Sequence, residues 1–183
     1  MKKKILGAFL ATFLSVSLFA QEAPSPSNAV FVDFGSTIIG VLFGGFGIGL
    51  GYERGFTKNF SALIKASYMG FTIQGSPYDT AFLGVSTGLH ARYYPLGDAV
   101  KRWFFDVGGD YSYIEVTYGD KMDSHIFELG ALTGWKFVYG GGFFLETGLG
   151  YKFIFEKINA PTGSASIPAM NGFTLWLGMG WAF

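Results

Sequence analysis

Residues 172–183 read GFTLWLGMGWAF, and this stretch decides the fold. Phe173, Leu175, Leu177, Met179, Trp181 and Phe183 fall on one face, and Gly172, Thr174, Trp176, Gly178, Gly180 and Ala182 on the other. Alternation sustained this long is the period of a β-strand, because a helix would group positions i, i+3 and i+4. Moving back through the chain, the same period recurs at 145–156, 127–137, 105–113, 83–93, 60–68 and 46–53. A less regular first strand at about 29–37 places Asp33 and Gly35 with the polar set. The count is eight strands, with no helical segment expected beyond the N-terminus.

The connections alternate in character. Segments 74–80, 119–124 and 157–171 are polar or rich in Gly and Pro, whereas 55–59, 95–102 and 139–142 are shorter on average. Gly44 and Gly45 form the first turn, between apolar flanks. Short turns at one end and longer loops at the other describe a transmembrane β-barrel. The expected fold is therefore all-β, an eight-stranded antiparallel up-and-down transmembrane barrel.

Composition agrees. Of 183 residues, 50% are hydrophobic and only 14% charged, yet beyond the N-terminus Gly or a charge interrupts each apolar run. No stretch there reaches the about 20 apolar residues that a membrane helix needs. The absence of Cys removes disulfides, thiolate metal sites, thiol nucleophiles and a lipoprotein anchor. Lys2, Lys3 and Lys4 precede an apolar run over 5–19, and Ala20 offers a small residue at a cleavage site, so 1–20 reads as an export signal. Residues 21–28 (QEAPSPSN) read as an exposed linker, and 29–183 as the barrel. Loss of the three lysines leaves the mature chain slightly acidic, which does not favour nucleic acid.

Alternation does not say which face is inside, and a soluble lipocalin-like barrel alternates too. Side-chain volume favours the membrane form. An eight-stranded barrel has an interior just wide enough for side chains or one small ligand. The Phe, Tyr and Trp of the apolar face would overfill it, while the Gly, Ala and Ser of the other face fit. Tyr68, Phe71, Tyr93, Tyr94, Trp103, Phe104, Trp135, Trp181 and Phe183 lie near strand ends, where interfacial aromatic girdles belong.

With those residues in view, 29–183 resembles the small eight-stranded outer-membrane barrels: the OmpA transmembrane domain, OmpX and the OmpW-like proteins. In that group the last strand ends in an aromatic preceded by alternating apolar residues, and the barrel-assembly machinery recognises it. Leu175, Leu177, Met179, Trp181 and Phe183 match that signal. The resemblance implies a diderm outer membrane, periplasmic termini, outer-membrane lipid and the assembly machinery as partners, and a monomer. The soluble domain that follows the barrel in full-length OmpA has no counterpart up to Phe183.

The inward charges are Asp33, Glu53, Lys65, His90, Arg92, Asp106, Asp110, Glu128, Lys136, Glu146 and Lys152. An unpaired charge in so narrow a lumen is costly, so acids and bases should pair or hold water. The structural reading is a salt-bridged plug; the functional one is a narrow gated path for water or ions. His90 and His125 are the only imidazoles and fall at different heights, so no metal site is expected. Asp123, Ser124 and His125 sit together in the third outer loop, and some similar barrels modify lipid A with a Ser and a His. Adjacent residues point to opposite faces of a strand, however, and a triad is set in space. No catalytic residue and no cofactor is assigned. GGFGIGLG at 44–51 has no helix after it to complete a phosphate loop. The expected role is structural or interactive, through three polar outer loops, with no extracellular ligand identified. The alternative is a small pore or OmpW-like hydrophobic-ligand channel, in which the apolar stretch 38–46 lines a greasy rim or extends strand one.

Overall fold

A computed structural model describes residues 27–75, 79–97, 99–118, 120–160 and 163–183. The export signal and all but the last two linker residues lie outside them. The elements are β1 (Asn28–Asp33), α1 (Phe34–Leu42), β2 (Phe46–Gly55), β3 (Phe60–Ile73), β4 (Thr80–Tyr93), β5 (Arg102–Tyr118), β6 (Asp120–Val138), β7 (Phe143–Ala160) and β8 (Gly163–Ala182). A one-turn 3-10 helix, Gly140–Gly142, joins β6 to β7. Each strand pairs antiparallel with the next, and β8 closes on β1, giving an eight-stranded up-and-down barrel. Closure runs from Ala29 opposite Ala182 to Asp33 opposite Gly178. At its edge Asn28 and Phe183 exchange backbone hydrogen bonds of 2.9 and 2.8 Å.

The alternation seen in the sequence is the wall's two faces. Val107, Leu149, Leu175 and Leu89 stand outward and exposed, while Glu53, Arg92, Lys136 and Glu146 are buried within. Asn28, Phe183 and the turns at 56–59, 94–97, 99–101 and 139–142 share one end, the turn end; the longer hairpins reach the other. The 94–101 connection folds back under the barrel, where Ala99 donates to the Lys58 carbonyl (2.8 Å). Val100 is fully buried there at φ 69°, a strained conformation for a β-branched residue.

Three sequence expectations need correction. First, β1 stops at Asp33 rather than continuing to 37, and α1 follows where no helix was expected. Asp33 caps it, its carboxylate accepting from the Gly35 N–H at 2.9 Å. Gly40 then lets the helix lie against the backbone of Phe46 and Gly47, where a side chain would collide. The stretch 38–46 is thus not an extension of β1. Second, most of 119–124 and 157–171 is strand rather than loop: pairing starts at Tyr118 with Asp120, and at Ala160 with Gly163. These hairpin ends carry polar residues on the outward face as well, which erases the apolar alternation a sequence reading relies on. Third, Tyr94 and Phe104 are fully buried inside, not in a girdle, and Phe71 stacks between Phe43 and Phe82 (centroids 4.9 and 4.7 Å).

Candidate functional site: a charged plug in the lumen

Inward positions on β2 to β8 are largely Gly, Ser and charged residues. The glycines make the volume: a Cβ at Gly108 would strike the His90 ring, and one at Gly88 the Asp110 carboxylate. Into this space six strands send charged side chains that meet in one continuous network.

Two carboxylates anchor it near the turn end. Glu53 of β2 accepts from Ser61 Oγ and Tyr94 OH, both at 2.5 Å, from Arg92 Nη1 at 3.1 Å, and from Lys136 Nζ. Glu146 of β7 accepts from Trp176 Nε1 at 2.6 Å, and from Arg92 Nη1 and Lys136 Nζ at 3.0 Å each. Arg92 of β4 turns its Nε to Asp106 of β5 at 2.7 Å. His90 carries the chain onward, with Nδ1 2.7 Å from Asp106 Oδ1 and Nε2 3.2 Å from Asp110 Oδ1. Asp110 meets Lys65 at 3.0 Å and Lys152 at 3.4 Å, and Lys152 reaches Glu128 at 2.8 Å.

Aromatic rings floor and line this network. The Arg92 guanidinium lies 4.4 Å from the Phe104 centroid, Lys136 Nζ 4.4 Å from Phe144, and Lys65 Nζ 4.9 Å from Trp176. Phe31 meets Trp176 edge-on at 5.7 Å. In a low-dielectric setting these faces add cation–π attraction to the ion pairs.

Charge balance follows from the geometry. Glu53, Asp106, Asp110, Glu128 and Glu146 face Lys65, Arg92, Lys136 and Lys152. Both His90 nitrogens face carboxylate oxygens, which only accept, so both donate when the ring is an imidazolium. That extra positive charge makes the network neutral. Among the described residues, no buried side-chain nitrogen or oxygen lacks a hydrogen-bond partner.

Ten of the eleven inward charges expected from the sequence meet in this network. Asp33 does not: its carboxylate is taken by the α1 cap, because the chain leaves the wall at that residue. The sequence reading missed Ser61, Tyr94 and Trp176 as partners, and Phe31, Phe104 and Phe144 as lining. A signal was present. In the pairs Tyr93–Tyr94, Phe104–Phe105 and Phe143–Phe144, adjacency forces one ring to each face, and Trp176 stood alone among Gly and Thr.

The remaining candidates are also placed. Leu175, Leu177, Trp181 and Phe183 are exposed on the outer face, with Met179 half-buried between them. Asp123, Ser124 and His125 lie in β6, not in a loop. Ser124 points inward to Glu156 (2.6 Å), while His125 points outward, 2.6 Å from Tyr111 OH and 3.2 Å from Asp123. Serine and histidine are thus on opposite sides of the wall. No group of three His, Cys, Asp or Glu arranged to hold a metal occurs among the described residues. A furrow of about 580 Å³ at the hairpin end, lined in part by Gly44, Phe46, Tyr68, Phe82 and Glu115, lies apart from the network.

No protein-family model and no curated protein matches the chain. Among solved structures it is similar to the translocator domain of the autotransporter NalP from Neisseria meningitidis. That match has 14% identity and a TM-score of 0.44, covering 94% of this chain and 67% of that one.

Proposed function

We propose that the chain is an integral outer-membrane β-barrel with a structural or surface-interaction role, its lumen closed by the charged plug. The observation that carries this reading is the inversion of polarity: large apolar side chains stand exposed around the outside while ionised groups are buried within. A soluble barrel has the reverse. Closure satisfies the strand ladders, as hydrocarbon requires, except on the β1 side of β8 before Gly178.

The register supports a membrane boundary. The outward row Tyr111–Phe127–Phe155 is aromatic, the next toward the hairpin end is Tyr113–His125–Lys157, and the next is Glu115–Asp123–Asn159. Beyond that boundary the outward face of β5, β6 and the end of β7 is polar, and this is the part offered to a partner. The short turns at the opposite end, beside Asn28 and Phe183, fit the periplasmic side. Outer-membrane lipid and the assembly machinery are the partners that follow, with a monomer as the unit, and neither catalysis nor a cofactor is invoked.

The test is planar-bilayer recording of refolded protein. A closed plug gives no steady conductance at moderate voltage. Stable single-channel steps would replace this reading with the gated-path alternative.

A further inference from the structure

The wall has a local defect. Since Asn28 and Phe183 exchange both backbone bonds, Phe183 and every second residue before it turn N–H and C=O toward β1. Trp181 and Met179 meet Val30 and Val32. Leu177, Leu175 and Phe173 come next, but β1 has ended at Asp33, opposite Gly178. No strand among the described residues takes that place, and no backbone hydrogen bond joins α1 to β8. The side chains record the gap: Phe173 and Leu175 are 84% and 80% exposed, against 49% and 53% for Phe153 and Leu149 on the neighbouring strand. On the membrane reading above, on which this inference rests, those backbone groups face hydrocarbon without partners, a costly state.

The segment that vacates this edge is poorly suited to a helix. Phe34–Leu42 reads FGSTIIGVL, with two Gly and four β-branched residues, which disfavour helix. The same sequence fits a strand. Continuing the β1–β8 register sets Phe34 opposite Leu177, Ser36 opposite Leu175 and Ile38 opposite Phe173. Continuing the β1–β2 register sets Gly35 opposite Gly47 and Thr37 opposite Gly45. Phe34 and Ile38 would then join the lipid face, and Gly35 and Thr37 the small inward face.

We propose that the open β8 edge at Phe173, Leu175 and Leu177 is a docking site for the chain's own residues 34–38. In this scheme α1 unwinds into an extension of β1 that closes a lateral opening between membrane and lumen. The helix is held by the Asp33 cap and the Gly40 contact with Gly47; the strand gains the missing ladder bonds. The two forms differ in whether the wall is open beside Trp176, the inward residue at that level.

Cysteine pairing separates the forms, and the native chain has no Cys to interfere. From Asp33 to residue 38 a helix rises about 7.5 Å, whereas a strand would advance about 17 Å. Ile38 therefore reaches Phe173 only in the strand form, since a disulfide tolerates Cα separations up to about 7 Å. The variant is Ile38→Cys with Phe173→Cys, refolded into lipid vesicles and exposed to a mild oxidant. Val30→Cys with Trp181→Cys, paired in both forms, is the control. Each variant is first shown to be folded by its altered gel mobility without boiling.

The expected result is that the 38–173 pair oxidises, more slowly than the 30–181 pair. Adding Thr37→Ala and Ile39→Ala, which favour helix, should lower the rate of the 38–173 pair about fivefold and leave the control unchanged. A 38–173 pair that stays reduced while the control is fully oxidised overturns the proposal. If the protein proved soluble without detergent yet cross-linked as expected, the switch would stand and the membrane reading would fall.

Discussion

Glu146 receives Trp176 Nε1, Arg92 and Lys136 within 3.0 Å while fully enclosed, so its removal leaves the buried network one positive charge in excess, although Arg92 keeps Glu53 and Asp106 and Lys136 keeps Glu53. Glu146→Ala should lower stability by about 3–5 kcal/mol, the usual cost of breaking one side of a buried pair. Denaturant titration of refolded protein would measure it. The network itself is weak evidence for net stability, because desolvating each ion offsets most of the attraction. A simultaneous replacement of Glu53, Glu146, Arg92 and Lys136 by apolar residues of similar volume, which removes two acids and two cations together, should therefore cost less than Glu146→Ala alone. On the opposite face, Leu89 is 47% exposed beside the buried His90. Leu89→Arg should cost about 2–4 kcal/mol near the bilayer midplane. The penalty should grow in thicker bilayers, where the side chain no longer snorkels to the interface. A penalty independent of lipid thickness would put Leu89 inside and invert the wall.

Among the elements, the β1–β8 seam is the shortest pairing, running from Ala29 with Ala182 to Asp33 with Gly178 and extended by the Asn28–Phe183 bonds. Deleting Phe183 removes those last bonds and one aromatic at the edge. Refolding into detergent should survive, since the other seven ladders remain, but unfolding should quicken and less protein should reach the outer membrane. Unchanged membrane levels would sever the terminal residues from assembly. The elements were legible to different degrees. β2 to β8 were visible because each presents one apolar and one small or charged face. β1 was not bounded correctly, because 34–42 keeps the composition of a strand while Asp33 and Gly40 supply the cap and the close contact of a helix. The hairpin ends were read as loops because their outward face turns polar and the apolar alternation stops there.

At the scale of the molecule, closure makes unfolding cooperative and slow. Unboiled protein should migrate differently from boiled protein on a detergent gel, and far-UV dichroism should show strand with a small helical contribution from α1. Migration unaffected by boiling would argue against a closed barrel that resists detergent. The size of the barrel also sets the fate of its interior. Eight strands leave a lumen that side chains fill, and here Arg92, Lys136, Glu53, Glu146 and the rings of Phe104, Phe144 and Trp176 fill it.

The sequence alone determined the strand number, the inside and outside of each strand and the identity of nearly every lumen charge. The first follows from a two-residue period that needs no partner to be visible, and the other two from the difference in side-chain volume between the faces that period separates. Only the tertiary structure decided who meets whom. Glu53 and Lys136 lie on strands separated by three others in either direction, and closure of the barrel, not spacing along the chain, sets them on opposite walls of a lumen narrow enough for their side chains to meet. It also decided where the wall breaks. The helix at 34–42 depends on the carboxylate of Asp33 and on the backbone of Gly47 being close enough to exclude a side chain at residue 40, contacts that local propensity does not contain.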